Sequence, residues 1–127
     1  MVNCIFCQIS EGKIPAHVVY QDEQVVAFLD NQPKSCGHIL IIPRKHFTNI
    51  FDIPDDLLAV VIKTTKKIAR NIKKSLKPEG LNICQNNGAL AGQTIDHLHF
   101  HLIPRYQKKS PTKKENFTAI LNQLNKK

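Results

Sequence analysis

Apolar and polar positions alternate through His97-Leu98-His99-Phe100-His101-Leu102-Ile103. Successive side chains of a strand point to opposite faces. The pattern therefore predicts a strand over 97–103, with His97, His99 and His101 in a row on one face and Leu98, Phe100 and Leu102 turned into a core. A helix would scatter the same residues around its axis. Other runs predict four further strands. His17–Gln21 and Gln24–Leu29 flank Asp22-Glu23 as a hairpin. His38–Ile42 is an apolar run stopped by Pro43, and Leu81–Gln85 precedes a small-residue loop, Asn86–Gly92.

The helical period governs Asp55–Leu76, where Leu58, Val61, Ile62, Thr65, Ile68, Ala69, Ile72 and Leu76 form one apolar stripe. Pro54 suits the first helical position, Asp55 and Asp56 suit the positive N-terminal end, and Pro78 with Gly80 stops the helix. Residues 4–12 read as a short turn or helix carrying Cys4 and Cys7. Phe117, Ile120, Leu121 and Leu124 have the spacing of a short C-terminal helix. Strands gathered around one main helix predict an α+β fold: an antiparallel sheet of about five strands in a single domain spanning 1–127.

Composition narrows the class. A chain of 127 residues can bury a real core as one domain. There is no apolar run long enough to cross a membrane and no charged-then-apolar leader, so neither a membrane nor a secreted protein is expected. Four cysteines without a leader point to a reducing, cytoplasmic setting rather than a disulfide scaffold. The net charge is +8. Seven of the basic residues sit at 63, 66, 67, 70, 73, 74 and 77, the outer face of the long helix. Seven more fall between Arg105 and Lys127, against one acid, Glu115. A solvated lysine-rich face accounts for the first group. The excess attracts polyphosphates or RNA weakly, and no specific nucleic-acid partner is expected.

Two groups of residues carry chemistry. Three histidines side by side allow one to attack while its neighbours bind or protonate. A metal-binding histidine cluster, or a strand whose exposed face is histidine, would give the same row. Cys4-x-x-Cys7 has zinc-ligand spacing and supplies half a tetrahedral site. A redox pair and two free buried thiols are the alternatives, although a thioredoxin-like site needs a preceding strand that three residues cannot supply. Cys36 and Cys84 have no partner spacing and read as packing residues.

His97-Leu98-His99-Phe100-His101-Leu102-Ile103 resembles the signature of the histidine-triad family. Cys4-Ile5-Phe6-Cys7-Gln8-Ile9 with Ile14-Pro15-Ala16 resembles the N-terminal signature of its Hint branch. Ala27-Phe28-Leu29-Asp30 and Gly37-His38-Ile39-Leu40-Ile41-Ile42-Pro43-Arg44-Lys45-His46 resemble its central strands. Asn86, Gly92, Gln93 and Thr94 stand where the family keeps its phosphate loop. The resemblance covers residues 3 to about 105 and leaves the tail 106–127 uncovered.

The resemblance implies a homodimer of that family's α+β fold. It binds purine nucleotides and cleaves at the α-phosphate, releasing a nucleoside monophosphate. His99 inherits the nucleophile's role and forms a covalent nucleotidyl-histidine. A backbone carbonyl is expected to fix its tautomer. His101 is expected at the α-phosphate and leaving group, with His38 buried behind the triad. Asn86, Gly92, Gln93 and Thr94 would surround the phosphate, and Asp30 would accept from the ribose hydroxyls. Ile5, Phe6, Ile9, Phe28 and Ile39 would match or neighbour the slot for the base. Relatives with Cys-x-x-Cys complete a closed, structural zinc site with positions that are His46 and His97 here. Two rival functions remain: a dinucleoside-polyphosphate hydrolase or nucleotidyltransferase of the same family, and a nucleotide-binding or protein-interaction module with incidental catalysis. The full third histidine argues against the transferase branch.

Overall fold

In chain order the elements are α1 (Ile5–Ser10), β1 (Val18–Gln21), β2 (Val25–Leu29), β3 (Ile39–Pro43), α2 (Asp55–Leu76), β4 (Gly80–Gln85), a one-turn 3₁₀ helix (Ala89–Ala91), β5 (Phe100–Arg105) and α3 (Phe117–Leu124). The computed structural model describes residues 4–126; the expected domain limits also take in 1–3 and 127, which lie outside the described residues. The strands form one antiparallel sheet in the order β1-β2-β3-β5-β4. β2 and β3 are buried at every position. Their odd-numbered residues Val25, Ala27, Leu29, Ile39 and Ile41 join Leu98, Phe100, Leu102 and the inner face of α2 in the larger core. Val26, Phe28, Leu40 and Ile42 face the other way and pack with Phe6 of α1. That second face carries the site.

The α2 stripe buries Val61, Thr65, Ile68, Ile72 and Leu76, as its period requires. Ile62 departs from expectation and is 46% exposed. Pro54 stands one residue outside the helix as its N-cap, and the far end closes on Lys77, left-handed at φ 53°, just before Pro78. Gly37 (φ +86°) is the tightest packing point: a Cβ there would lie 2.4 Å from Leu76 Cδ1. The left-handed backbone strains any side chain there, and Leu76 would have to shift to admit one, so glycine suits the close approach of this loop to the helix. In the uncovered tail, Asn116 caps α3, and Ile120 and Leu124 are buried. Asn71 Nδ2 donates to the Leu124 carbonyl (3.0 Å), fastening α3 to α2.

The last strand is shifted from its expected limits. Its ladder begins at Phe100, not His97, and runs through Pro104 to Arg105. Residues 97–99 stay outside because their main chain is held elsewhere: Leu98 N donates to the Phe47 carbonyl at 2.7 Å. Pro104 is tolerated because β5 pairs with β3 only over Phe100–Leu102, so the ladder on that side has already ended.

Candidate active site and metal centre

A cavity of about 430 Å³ opens on the second face of the sheet. Ile5, Phe6, Ile9, Phe28 and Leu40 form its apolar wall. Asp30, Asn86, Gly92, Thr94, His38, His99 and His101 form its polar side. Alternation decides membership, since His101 stands opposite Leu40 and Cys84 in the ladder and shares their face. Ile39 therefore belongs to the other face, fully buried in the larger core, and Leu40 takes the place expected of it. Sequence reasoning also missed Ile14, Pro15, Ala16, His17 and Lys34 as lining residues. They lie on connecting segments, which carry no periodicity.

Hydrogen bonds fix the protons of the triad. His99 Nδ1 lies 2.8 Å from the His97 carbonyl. A carbonyl only accepts, so Nδ1 carries the hydrogen and Nε2 of the neutral ring keeps its lone pair. Burial holds the His99 pKa below its ordinary value, which keeps the ring neutral. Phe6 stands edge-on to it, 5.2 Å between ring centroids. His38 Nδ1 accepts from Lys34 N (3.0 Å), so neutral His38 is protonated on Nε2. That N–H faces His101 Nδ1 at 3.0 Å and leaves the His101 hydrogen on its own Nε2. Burial lowers the pKa of His38 and, with the neighbouring histidines, brings that of His101 to about 4. Asp30 Oδ2 lies 3.5 Å from His38 Nε2, and Oδ1 accepts from Gln32 N at 2.9 Å. Asp30, His38 and His101 are close enough to hold a metal. The backbone bond at His38 Nδ1 argues otherwise, because a metal on Nε2 would need a doubly deprotonated ring.

The loop before the triad divides the expected phosphate residues. The Asn86 amide and the Thr94 hydroxyl line the cavity and have no protein partner among the described residues. Gly92 is left-handed at φ +92°, and its missing Cβ keeps the backbone open beside Asn86. Gln93 departs from expectation. Its Oε1 accepts from Gly88 N (2.8 Å), and Nε2 donates to the carbonyls of Thr48 (2.6 Å) and Ile95 (3.1 Å). Both amide hydrogens are engaged and the side chain is 5% exposed, so Gln93 braces the loop from behind.

Behind His99, Cys4, Cys7, His46 and His97 bring four ligand atoms within 4.8 Å of one another. His97 Nδ1 is 3.3 Å from Cys4 Sγ and 3.6 Å from Cys7 Sγ, and His46 Nδ1 is 3.4 Å from Cys7 Sγ. Tetrahedral zinc bound to sulfur and imidazole has S···N edges of about 3.6 Å. His97 Nε2 donates to the Pro43 carbonyl (2.8 Å), which turns the Nδ1 lone pair towards the sulfurs. Cys4 also caps α1, accepting from Cys7 N. The donor chemistry, spacing and tautomer all fit a metal.

Comparison with known proteins agrees with this geometry. A family model described as the HIT domain matches residues 11–108. The chain is 41% identical over 107 residues to an adenosine 5'-monophosphoramidase of Candida albicans, covering 81% of this chain and 70% of that one. A crystal structure of a hypothetical histidine triad nucleotide-binding protein from Sulfolobus tokodaii superposes with a TM-score of 0.90 at 36% identity, covering 95% and 89% of the two chains. A Zn-bound histidine triad family protein from Mycobacterium smegmatis superposes with a TM-score of 0.83 at 31% identity, covering 97% and 94%. With its triad, its fold and a domain match over most of its length, the chain belongs to the histidine-triad family.

Proposed function

We propose that this histidine-triad nucleotide hydrolase cleaves purine nucleoside phosphoramidates or related conjugates at the α-phosphate, through a covalent nucleotidyl-His99. The observation that carries the reading is the proton arrangement: a lone pair on His99 Nε2 beside an N–H on His101 Nε2. The base lies against Ile5, Phe6, Ile9 and Phe28, with the ribose on Asp30. Asn86, Gly92 and Thr94 receive the α-phosphate, and Gln93 holds their loop. His99 Nε2 attacks phosphorus as the bond to the leaving nitrogen breaks and its electron pair passes to that nitrogen. The incoming phosphate charge raises the proton affinity of the His101–His38 pair, so the pair takes up a proton and His101 delivers it to the leaving amine. Water then attacks phosphorus, returns a proton to His101, and releases the monophosphate and neutral His99.

The Cys₂His₂ set holds zinc as a closed structural site with no position for water. The related protein from Mycobacterium smegmatis, described as Zn-bound, supports that choice of metal. Two chains pair through the free β4 edge, where Ile83 is 51% exposed, and the neighbouring α2 surface at Ile62. No disulfide joins Cys4, Cys7, Cys36 and Cys84, which supports a reducing, cytoplasmic setting. Among the described residues no helix is long and apolar enough to cross a membrane.

The test is a turnover screen of adenosine and guanosine phosphoramidates with His99→Ala as control. His99→Ala should fold, keep AMP affinity and lose about 10⁴-fold or more in kcat. Residual turnover within tenfold of the parent protein would remove His99 from the chemistry.

A further inference from the structure

One wall of the active cavity is the segment Ile14, Pro15, Ala16 and His17, which is neither helix nor strand. It joins α1 to β1, an outer strand of the sheet. Its main chain is fastened at the two ends. Lys13 N and Ile14 N donate to the Gln8 carbonyl of α1 (2.9 and 3.4 Å), and the His17 carbonyl accepts from Leu29 N of β2 at 3.0 Å. Pro15, between them, has no N–H to give. Ala16 packs with Ile9 on the cavity side, against the cluster that contains Phe6 and Phe28. The ladder that follows is irregular, with a register shift between Val18 and Tyr20.

His17 has a further partner. Its ring stacks on Phe117, with 5.0 Å between centroids and 31° between planes. Phe117 is the first residue of α3 and is half-buried against the larger core. The contact joins the cavity wall to the last element of the chain, which takes no part in the sheet.

α3 is seated firmly at its far end. Ile120 and Leu124 are buried, the Leu124 carbonyl accepts from Asn71 Nδ2 (3.0 Å), and Gln123 Nε2 donates to the Ser75 carbonyl (3.4 Å). Ser75 Oγ donates to Asn71 Oδ1 (2.7 Å), which sets the orientation of the Asn71 amide. At the near end Asn116 Oδ1 accepts from Ala119 N and fixes the first turn. Eight residues of helix, about 12 Å, thus run from a seat on α2 to a ring set against His17. A wall already held in its bound shape need not be ordered when a ligand arrives. A wall that samples other shapes raises the apparent Kd by the inverse of its competent fraction.

We infer that α3 is a positioning element for the nucleotide: Phe117, through its stack on His17, holds the wall 14–17 in the shape that receives base and ribose. It acts on binding and not on the chemical step, because His99, His101 and the phosphate loop are fastened by bonds of their own. α3 lies beyond the stretch matched by the family model, so this control of affinity comes from the tail. The inference rests on the nucleotide site proposed above.

The test uses the full chain, with AMP titrated calorimetrically and turnover followed on an adenosine phosphoramidate. Phe117→Ala should raise the AMP Kd and the KM about five- to tenfold and leave kcat within about twofold. Phe117→Tyr keeps the ring and should match the parent. His17→Phe keeps the stack without a ring nitrogen and should also match it, whereas His17→Ala should repeat the Phe117→Ala loss. The double variant Phe117→Ala/His17→Ala should be no worse than either single one, since both remove the same contact. Val61→Ala, a change at a fully buried position of α2, should lower the melting temperature and leave AMP affinity unchanged. Hydrogen exchange without ligand gives a separate reading: the amides of 14–18 should exchange faster in Phe117→Ala than in Val61→Ala. An AMP affinity for Phe117→Ala within about twofold of the parent, additive losses in the double variant, or kcat falling in step with affinity would overturn the inference. A parent chain that binds no AMP would instead remove the nucleotide site, and this positioning role with it.

Discussion

At the scale of single residues, neutral histidines are held in a buried place. Burial lowers the pKa of His38, His99 and His101 below the ordinary 6.5, His101 to about 4. Below pH 6.5 the unfolded chain therefore binds more protons than the folded one, and the fold loses stability as pH falls. Denaturant melts should be insensitive to these groups above about pH 7 and weaken progressively from about 6.5 towards 4. A midpoint that holds constant across that interval would contradict the neutral rings. Gln93 gives a second prediction. Gln93→Ala leaves Gly88 N and the Thr48 and Ile95 carbonyls without their partner, and should cost about 1–3 kcal/mol in the same melts. A phosphate ligand would instead lose AMP affinity with little change in stability. Alternation made His99 and His101 legible as neighbours on one side, but it placed His97 in the same row. Residues 97–99 instead leave the ladder, and His97 turns to Cys4, Cys7 and His46. The role of Gln93 was not legible, since its partner Thr48 is 45 residues away and no local pattern records that bond.

At the scale of elements, α1 is held to the catalytic segment by Cys4 and Cys7 against His97. The same histidine's carbonyl fixes the tautomer of His99. A metal held by these residues would tie α1, the segment before β5 and the wall provided by Phe6 together, so its removal would act on all three. Chelation, or Cys4→Ser, should lower the melting temperature strongly and reduce activity in proportion to folded protein. Plasma mass spectrometry on untagged protein, with melts before and after chelation, is the check. Less than about one-tenth of an equivalent of zinc with an unmoved melt would return the thiols to simple packing. The five strands, α2 and α3 are legible from hydrophobic period. The sequence gives α1 only as a turn or helix and the 3₁₀ turn Ala89–Ala91 as loop, and the limits of β5 are not legible. Alternation continues through 97–99, and only the Leu98–Phe47 bond shows that the main chain there has left the ladder.

At the scale of the whole molecule, the open sheet ends in two outer strands, β1 and β4. β4 is the outermost strand on its side, and Ile83 shares its face with Leu102, which α2 covers. The exposed Ile62 on α2 breaks the polar pattern of an outer helix face. Sedimentation across a concentration series should show a dimer for the parent chain. Ile83→Lys should weaken association by a factor on the order of ten or more. A parent protein that sediments as a monomer throughout would refute the pairing. The strand order has a consequence during synthesis. β3 and β4 are made before β5, yet β5 lies between them. A nascent chain that has not yet delivered residues 100–105 holds two apolar strands with open edges and nothing to join them, a state prone to aggregation and proteolysis. The strand that closes the sheet is also the one that brings His101 to the cavity. The sheet therefore closes only when the segment that carries His101 has been made, so completion of the fold and completion of the cavity are one event.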